Sequence, residues 1–515
     1  MISYRTEGSI TVMMSMILLM LMSLFFSMVE GIRLFDYHMQ AKMIASKICA
    51  DAFSEYDVYL WNNYGVLGLD GGYGSSDGDV SKVESRMLEF AGKVKNQEVS
   101  GVNITEYGLL TDNKGKPFIK ECALAAEAIA IEGAAAKIRD EVVAIDGMAV
   151  EDLDIDSAVD QGSKAIEESK KKAEELNKQK LEYGNEQTIV GDNNSSQGDK
   201  GEILETAAEM PQASEPVSRE NNPFEIYKKY KDSGLLGLVI GDSEISQKVM
   251  TKEGLVSKRE LRQGNTSEVV ETNIMDEALY LWYLGEKCNR YGDIKSDRCL
   301  DYEMEYIVSG KASDKENLEG VVWRLLGIRE VCNLATIMSN SKMMEEASIM
   351  AVTLAGATAM PPVIEAVKIA IILIWALVES VLDVRALLKG DKVAFIKTES
   401  QWESSLSNLG AAVSGNSKAK SADNGMSYKQ YLYAFIFMNS EENKAYRPMD
   451  LIELGINSRE GYEGVRMDNM IYKMNIEINS VGNPMFASFM TLGNLENDLY
   501  KSKAAGDISY ITAMI

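Results

Sequence analysis

A long apolar stretch near the N-terminus is the strongest feature of the hydrophobic pattern. Residues 10–29 carry no charge, and their only polar side chains, Thr11, Ser15, Ser23 and Ser27, can hydrogen-bond back to their own helix. At about 1.5 Å of rise per residue, such a helix spans the roughly 30 Å hydrocarbon core of a bilayer. Backbone polar groups in lipid must be satisfied internally, so the pattern predicts a transmembrane helix.

A cleaved signal peptide is the alternative interpretation of this stretch. Signal peptides have an apolar region of about 7–15 residues and then a small-residue cleavage site. Here the apolar run is longer, and it ends in the sequence VEGIR at residues 29–33, without an A-x-A-like triplet. A retained anchor is therefore the favoured prediction.

The apolar pattern continues beyond the uncharged stretch as the stripe of an amphipathic helix. No Gly or Pro interrupts residues 32–60, and the sequence NNYG at 62–65 is a helix stop signal. The stripe comprises Ile32, Phe35, Met39, Ile44, Ile48, Ala52 and Phe53. The sequence thus predicts one continuous helix from near Ser9 to Trp61, half in lipid and half packed on a head domain.

The remaining pattern predicts more helix than strand. Residues 102–110 alternate and precede turn-forming residues at 111–117, which indicates either a hairpin or a strand followed by a turn. Residues 470–478 alternate apolar and polar side chains, which is typical of a half-solvated antiparallel strand. The apolar run at 369–378 is short for a bilayer, so a buried core helix is favoured over a second membrane segment.

The predicted fold class is α+β and helix-dominated, with a long transmembrane helix that continues into an extracytoplasmic head containing a small antiparallel sheet. Further helices are predicted at 80–95, 119–149, 157–182, 318–338 and 427–439, and Pro223 and Pro361 each open another. The predicted organisation is a leader at 1–8, the long helix at 9–61, a first head region with a helical hairpin at 62–183, a disordered linker at 184–222, a helical region at 223–400 and a C-terminal α+β region at 401–515. The linker prediction rests on its Gly, Asn, Ser, Gln and Glu content.

Charge and composition limit the partners that the chain can have. Its net charge is −25, from 78 acidic and 53 basic residues. Nucleic-acid binding needs a basic surface, so no nucleic-acid partner is expected. The simplest interpretation of the acidity is solubility of an exported domain. No motif for a cofactor, a metal or a small-molecule substrate occurs, and no enzyme activity is predicted.

Histidine, cysteine and the Gly/Asp-rich loop offer little metal chemistry. His38 is the only histidine, which excludes multi-histidine metal sites and argues against Ser-His-Asp or Cys-His catalysis. The chain has 5 cysteines and no C-x-x-C pair. Cys288 and Cys299 are candidates for a disulfide, although buried free thiols are favoured. The loop at 67–79 lacks the Gly and Glu spacing of an EF-hand, so a flexible surface loop is favoured over a calcium site.

Carboxylates and tyrosines are the other candidates for a site. Asp301, Glu303 and Glu305 are close in sequence, but carboxylates without a partner base are most simply a solvated face. A second set, for which core packing is favoured over an adhesive surface, comprises Tyr428, Tyr431 and Tyr433.

The N-terminal flank carries a resemblance to known proteins. The sequence RTEGS at residues 5–9, followed by an uncharged helix, resembles the N-terminus of type IV prepilin-like proteins. The resemblance implies cleavage between Gly8 and Ser9 by a prepilin peptidase, and a helix used for anchoring and assembly. Pilins generally carry Glu five residues after the Gly, where this chain has Met13. That departure favours a minor or capping subunit, or a free anchor, over a major filament subunit.

A wider set of motifs runs along nearly the whole chain outside 184–222. The motifs include EYD at 55–57, SGLL at 233–236, YEMEYI at 302–307, MSYKQYL at 426–432 and RPMDLIE at 447–453. They are similar to a domain-of-unknown-function family of Gram-positive bacteria that is often encoded near tight-adherence (Tad) pilus genes. The family has no assigned activity, so the resemblance implies a setting and no chemistry.

Two functions of different classes follow from these observations. The favoured one is a single-pass, membrane-anchored extracytoplasmic structural component of a Tad-like pilus or secretion assembly, similar to a minor pseudopilin, with other subunits as partners. The alternative is a membrane-tethered cell-envelope enzyme or adhesin. The missing catalytic signatures favour the first.

Overall fold

The computed structural model describes most of the chain in twelve stretches. These are residues 7–92, 98–127, 134–146, 157–167, 171, 218, 221–241, 245–251, 253–356, 360–414, 417–482 and 501–514. The predicted linker at 184–222 lies almost wholly outside the described residues. So do residues 1–6 of the predicted leader and most of the second half of the predicted helix at 157–182.

The elements confirm the predicted fold class, a helix-dominated α+β chain with one long apolar N-terminal helix. In chain order the helices are α1 (Glu7–Phe53), α2 (Val58–Tyr64), α3 (Val80–Ala91), α4 (Asp112–Glu127), α5 (Ala134–Asp146), α6 (Pro223–Ser233), α7 (Leu235–Ile240), α8 (Ile274–Lys287), α9 (Glu303–Ser309), α10 (Asp314–Ser339), α11 (Ser341–Ala355), α12 (Pro361–Leu388), α13 (Leu409–Ser414), α14 (Tyr428–Phe437), α15 (Glu441–Asn457) and α16 (Tyr510–Met514). The strands are β1 (Leu69–Asp70), β2 (Glu98–Leu109), β3 (Met470–Val481) and β4 (Lys501–Ser509). Residues 157–167 are also helical.

Two compact units are each built from separate stretches of chain. Unit 1 comprises Met1–Asp140, Met250–Cys288 and Ile436–Ile515, and unit 2 comprises Glu141–Val249 and Asn289–Phe435. Each unit therefore needs residues that are far apart in sequence.

The sheet of unit 1 is organised around β3. This strand pairs antiparallel with β1, β2 and β4, so that Ile104, Ile476 and Gly506 lie side by side across three strands. Alternate side chains of β3, including Met474 and Ile478, are buried in one core with residues of α1 and α3. The predicted antiparallel strand at 470–478 is confirmed, because its apolar face finds a helix to pack against.

The prediction of one helix as far as Trp61 is wrong. α1 ends at Phe53, and Asp57 adopts an extended conformation, with φ −66° and ψ 112°, before α2. The Asp57 carboxylate accepts a hydrogen bond from the Leu60 amide at 2.8 Å, and so caps α2. Hydrophobic spacing continues across this break, and only the capping residue marks it. The predicted stop is confirmed, since Gly65 ends α2 in the left-handed region at φ 67°.

β2 is followed by a turn and then by α4, so of the two predicted alternatives the strand followed by a turn is confirmed and the hairpin is not formed. Asn113, Lys114 and Gly115 have φ values of 47°, 60° and 80°, which reverse the chain, and Phe118 and Ile119 then lie in α4. Pro117 explains the outcome, because its fixed φ and missing donor suit the start of a helix. The long helix predicted at 119–149 is described as α4 and α5, with residues 128–133 outside the described part.

Unit 2 is built around α12. Every residue from Ala370 to Leu387 is buried, and the helix packs against α10 and α11. The prediction of a buried core helix at 369–378 is thereby confirmed, apart from Ile369, which is 48% exposed. Ser313 caps α10 by accepting the Glu316 amide at 3.2 Å, and a Ser followed three residues later by Glu favours such a cap.

Candidate functional site

The first half of α1 exposes apolar side chains all around the helix. Apart from Phe26, every large apolar side chain from Ile10 to Met28 is 45–75% exposed. Burying one Leu, Ile or Met side chain gains about 1.5–3 kcal/mol, so this surface strongly favours an apolar medium over water. By length and composition α1 is able to cross a membrane, a test that a signal sequence near the N-terminus also passes.

Two serine hydroxyls on this surface are satisfied within the helix. Ser15 Oγ donates to the Val12 carbonyl at 2.8 Å, and Ser23 Oγ donates to the Met20 carbonyl at 2.9 Å. This is the back-bonding that the sequence predicts for serines in an apolar helix. The serines therefore add little cost to transfer into an apolar medium.

The second half of α1 packs on the sheet through small residues. Ala41, Ala45 and Cys49 are fully buried. A Cβ at Gly506 of β4 would lie 3.0 Å from the Ala45 carbonyl carbon and 3.1 Å from Cys49 Sγ. A side chain at that position of β4 would therefore force α1 or β4 to shift by a few tenths of an ångström, so glycine allows the close approach of the two elements.

A bond at the end of α1 adds to this packing. The Tyr510 hydroxyl donates to the Phe53 carbonyl at 2.6 Å, and the two rings lie 4.4 Å apart between centroids. Phe53 is the last residue of α1, so its carbonyl has no partner within the helix. α16 supplies that partner.

Part of the predicted amphipathic stripe does not pack on the sheet. Ile32, Phe35 and Met39 are 59%, 70% and 46% exposed, and the neighbouring Met43 is 63% exposed. The prediction that Ile32, Phe35 and Met39 pack on the head is wrong, because burial of α1 begins only at Ala41. Between the all-apolar half and the packed half, α1 thus keeps an apolar face exposed.

The candidate processing site lies at the start of α1. Gly8 and Ser9 fall in its first helical turn, and the Ser9 side chain lies outside the described part of the chain. The first turn of a helix lacks intrahelical partners for its amides and opens at low cost. The structure brings no other predicted site residue next to this bond in the part that it describes.

The carboxylates Glu303 and Glu305 of α9 are buried, so the prediction of a solvated face is wrong for both. Glu303 is 1% exposed and Glu305 is 0% exposed. Glu303 accepts hydrogen bonds from the Asn289 amide at 2.7 Å and from Arg298 Nη1 at 3.0 Å. Asp301 is half-buried and forms an ion pair with Lys248 at 2.8 Å.

Glu305 binds the same loop two residues further on, at Tyr291. Its carboxylate accepts the Tyr291 amide at 2.9 Å and the Tyr428 hydroxyl at 2.6 Å. Burial raises the pKa of Glu305 to about 7, against the opposing effect of these donors. Glu303 and Glu305 therefore fix the backbone of residues 289–291 and present no open acid to a substrate.

A fully buried ionic cluster joins α10 and α12 inside unit 2. Arg329 Nε donates to Asp383 Oδ2 at 2.9 Å, and both side chains are 0% exposed. Lys397 forms ion pairs with Asp383 and with Glu379, and Glu379 also accepts the Ser404 amide at 2.8 Å. The cluster ties the segment after α12 onto α12.

Sequence reasoning missed both buried groups, although a signal for them exists. In residues 300–308 the acids alternate with Leu300, Tyr302, Met304 and Tyr306, all buried. Acids inside so apolar a run need buried partners, because an unpaired buried charge is costly.

The predicted core packing of Tyr428, Tyr431 and Tyr433 is confirmed, with exposures of 5%, 0% and 3%.

Metal and thiol chemistry finds no site in the described residues. No group of three or more His, Cys, Asp or Glu side chains there is placed to hold a metal ion. In the Gly/Asp-rich loop, Lys82 Nζ donates to Ser75 Oγ at 2.6 Å and to the Asp77 carbonyl at 3.1 Å. These two loop oxygens are therefore bound by a lysine ammonium group. All five cysteines are free, and Cys288 and Cys299 are not paired.

Comparison with protein families identifies the family of this chain. The model of a family of unknown function (DUF5702) matches residues 213–481. The chain belongs to the DUF5702 family. The DUF5702 region includes the buried clusters of unit 2 and ends with β3, while α1, β2 and β4 lie outside it. The predicted membership of a domain-of-unknown-function family is confirmed. Comparisons with curated proteins and with solved structures found no match.

Proposed function

We propose that this DUF5702 protein is a membrane-anchored structural component of the cell envelope, held by α1 with both units outside the cytoplasm. The observation that carries the proposal is the exposed apolar surface from Ile10 to Met28 on a helix whose other end is locked into a folded unit. Water is a poor solvent for that surface, and a bilayer is a good one.

The proposed orientation rests on the size of the segment that follows the apolar stretch. Arg5 lies before the apolar stretch, and a very large acidic segment follows it. Long domains cross a membrane largely regardless of charge, so we place the acidic segment outside and the Arg5 end of the helix in the cytoplasm.

The finer proposal is a minor, pseudopilin-like subunit of a Tad-like pilus or secretion assembly. Its support is the flank at residues 5–9 and the motifs that resemble the Tad-linked family. Under this proposal a prepilin peptidase cuts between Gly8 and Ser9. N-terminal analysis of membrane-extracted protein tests the step, and a mature chain that still begins at Met1 would remove the prepilin part while leaving the anchor.

The buried acids support a structural role over the enzyme alternative. Glu303, Glu305 and Asp383 are at most 1% exposed, and each already accepts bonds from the chain itself. A general acid must reach the atom that it protonates, and these groups face the interior.

Membrane fractionation and protease protection test the anchor and its direction. Protease added to intact protoplasts is expected to digest the units, and full protection would contradict the orientation. Changing Leu19 and Met20 together to Arg should move the chain to the soluble fraction, since each Arg costs about 2.5–3.5 kcal/mol near the centre of a transmembrane helix. Gln40→Arg, on the same helix beyond the apolar stretch, is the matched control and should stay with the membrane.

A further inference from the structure

An unbroken heptad seam runs along the exposed side of α1. Its side chains follow one another at spacings of alternately four and three, the pattern of a and d positions in a coiled coil. All are 46–70% exposed. The seam comprises Met14, Leu18, Leu21, Phe25, Met28, Ile32, Phe35 and Met39.

The part of the seam beyond residue 30 is the informative part, because apolar side chains are no longer exposed at every position there. Within 10–29 any spacing would find apolar residues. Between residues 30 and 40, the large apolar side chains that are exposed are Ile32, Phe35 and Met39, and all three fall on the seam. The seam ends where the next d position is Lys42. The heptad therefore continues past the uncharged stretch into a region where polar residues surround it.

The seam faces away from the unit to which α1 belongs. At about 100° per residue, its centre lies about 145° from the centre of the buried face of α1. That buried face comprises Ala41, Ile44, Ala45, Ile48, Cys49, Ala52 and Phe53. The sheet therefore leaves the seam open to another helix.

We propose that α1 pairs along this seam with α1 of a second copy, as a parallel coiled coil that runs from the bilayer into the space above it. The proposal rests on the proposed anchoring, because two copies inserted in the same direction have parallel helices. When two such helices are parallel and in register, each a residue of one helix faces the a residue of the other, and each d residue faces a d residue. The average spacing of 3.5 residues keeps this match over more than three heptads.

The water-exposed end of the seam supplies the driving force. Lipid tails are as apolar as leucine, so the residues in the bilayer gain little hydrophobic energy by pairing. Ile32, Phe35 and Met39 lie above the uncharged stretch, and pairing removes them from water. The neighbouring Asp36 is held along its own helix by Gln40, whose Nε2 donates to it at 2.7 Å.

Cysteine crosslinking of the full-length, membrane-inserted chain tests the pairing. Single cysteines at 32, 33, 35 and 39 are treated with a short bis-maleimide. The wild-type chain is the blank, because its native cysteines are buried or half-buried. Ile32→Cys, Phe35→Cys and Met39→Cys should give a product of twice the chain mass, at least tenfold more than Arg33→Cys, which is exposed on another side of the helix.

The outcomes separate this pairing from the anchor beneath it. Equal crosslinking at 33 and 35 in a membrane-bound chain, products of another mass, or no product overturns the coiled coil and leaves the anchor. A chain recovered in the soluble fraction overturns both. As a second variant, Phe35→Glu should abolish the Met39→Cys crosslink without changing membrane recovery, whereas Arg33→Glu should leave that crosslink intact.

Discussion

Glu330 carries a buried carboxyl whose neighbours do not neutralise it. The side chain is 7% exposed, and its Oε1 has no hydrogen-bond partner among the described residues. Burial raises the pKa of Glu330 from 4.5 to about 8. Burial also raises the pKa of the Tyr230 phenol to about 12, and the negative charge of Glu330 adds to that shift. The native chain therefore holds this carboxyl in its neutral form at neutral pH.

The first prediction concerns the pH dependence of stability. Between the unfolded pKa of 4.5 and the folded pKa of about 8, the native state keeps a proton that the unfolded state has released. The contribution of Glu330 to the free energy of unfolding therefore falls as pH rises through this window. Glu330→Gln cannot ionise, so urea denaturation of the full-length chain in detergent should show it losing less stability than wild type between about pH 5 and about pH 8, by at least about 1 kcal/mol.

An exposed glutamate on a helix of the same unit provides the control. Glu365 is 60% exposed and lies 3.6 Å from Lys368 on the surface of α12. Glu365→Gln should follow the wild-type pH profile. Identical profiles for wild type and Glu330→Gln would show that Glu330 is ionised in the native state.

The second prediction concerns the buried ionic cluster of unit 2. Lys397 is 1% exposed and pairs with Glu379 and Asp383, both 0% exposed. Removing one member of a buried cluster leaves an uncompensated charge, which costs about 3–5 kcal/mol. Lys397→Met should lower the free energy of unfolding by that amount in urea denaturation.

The control is a lysine paired at the surface. Lys342 lies 3.2 Å from Glu399, with side chains 74% and 64% exposed. Exposed pairs contribute about 0–1 kcal/mol, so Lys342→Met should change stability little. Similar losses for Lys342→Met and Lys397→Met would contradict the assigned role of the cluster.

At the scale of the elements, regular apolar patterns predict where most helices and strands lie, and local hydrogen bonds decide where some of them end. The strand at 470–478, the helix opened by Pro361 and the cap at Ser313 all follow from spacing and residue type. The break after Phe53 does not, because the Asp57 cap interrupts a helix without interrupting its apolar period. The buried acids of α9 escape prediction for a related reason: their partners come from the loop at 289–298, more than one helical turn away in sequence.

The third prediction concerns the contact between α1 and β4. A side chain at Gly506 would meet the Ala45 backbone at 3.0–3.1 Å, and Ala45 belongs to a helix that cannot yield alone. Gly506→Val should therefore lower the free energy of unfolding by about 1–3 kcal/mol, as overpacking does. Denaturation of the full-length chain measures the change.

Gly101 of β2 provides the comparison within the same sheet. A Cβ there would come no closer than 3.9 Å, to Asn479 Nδ2. Gly101→Val should be neutral or stabilising, since a β-branched residue suits a strand. A loss at Gly101 equal to the loss at Gly506 would show that β-strand glycines in general, and not the close approach of α1, set the cost.

At the scale of the whole molecule, each unit contains residues from before and after the predicted linker. In unit 2 a Cβ at Gly162 would lie 2.9 Å from Ala370 Cβ and 3.1 Å from the Phe224 ring, so the helix at 157–167 packs closely against α6 and α12. In unit 1 β3 pairs with β1 and β2. The sequence alone predicted contiguous regions, because hydrophobic periodicity carries no information about which distant segments meet.

The fourth prediction is a consequence of this shared construction. The composition of 184–222 predicts that limited proteolysis cuts there first. The two fragments should then elute together in size-exclusion chromatography in detergent and separate only in denaturant. Separation without denaturant would contradict the pairing of distant segments within each unit.

The central position of β3 also sets the order in which the protein can be completed. Every pairing in the described sheet includes β3, and its partners in β1 and β2 precede it by more than 350 residues. During synthesis, β1, β2 and the packed half of α1 must therefore wait, with their apolar faces uncovered, until the ribosome has made β3. Such a high contact order makes folding slow and late, and it exposes the growing chain to aggregation. Proteins that cover exposed apolar surface during synthesis are therefore expected to raise the yield of folded chain before β3 emerges.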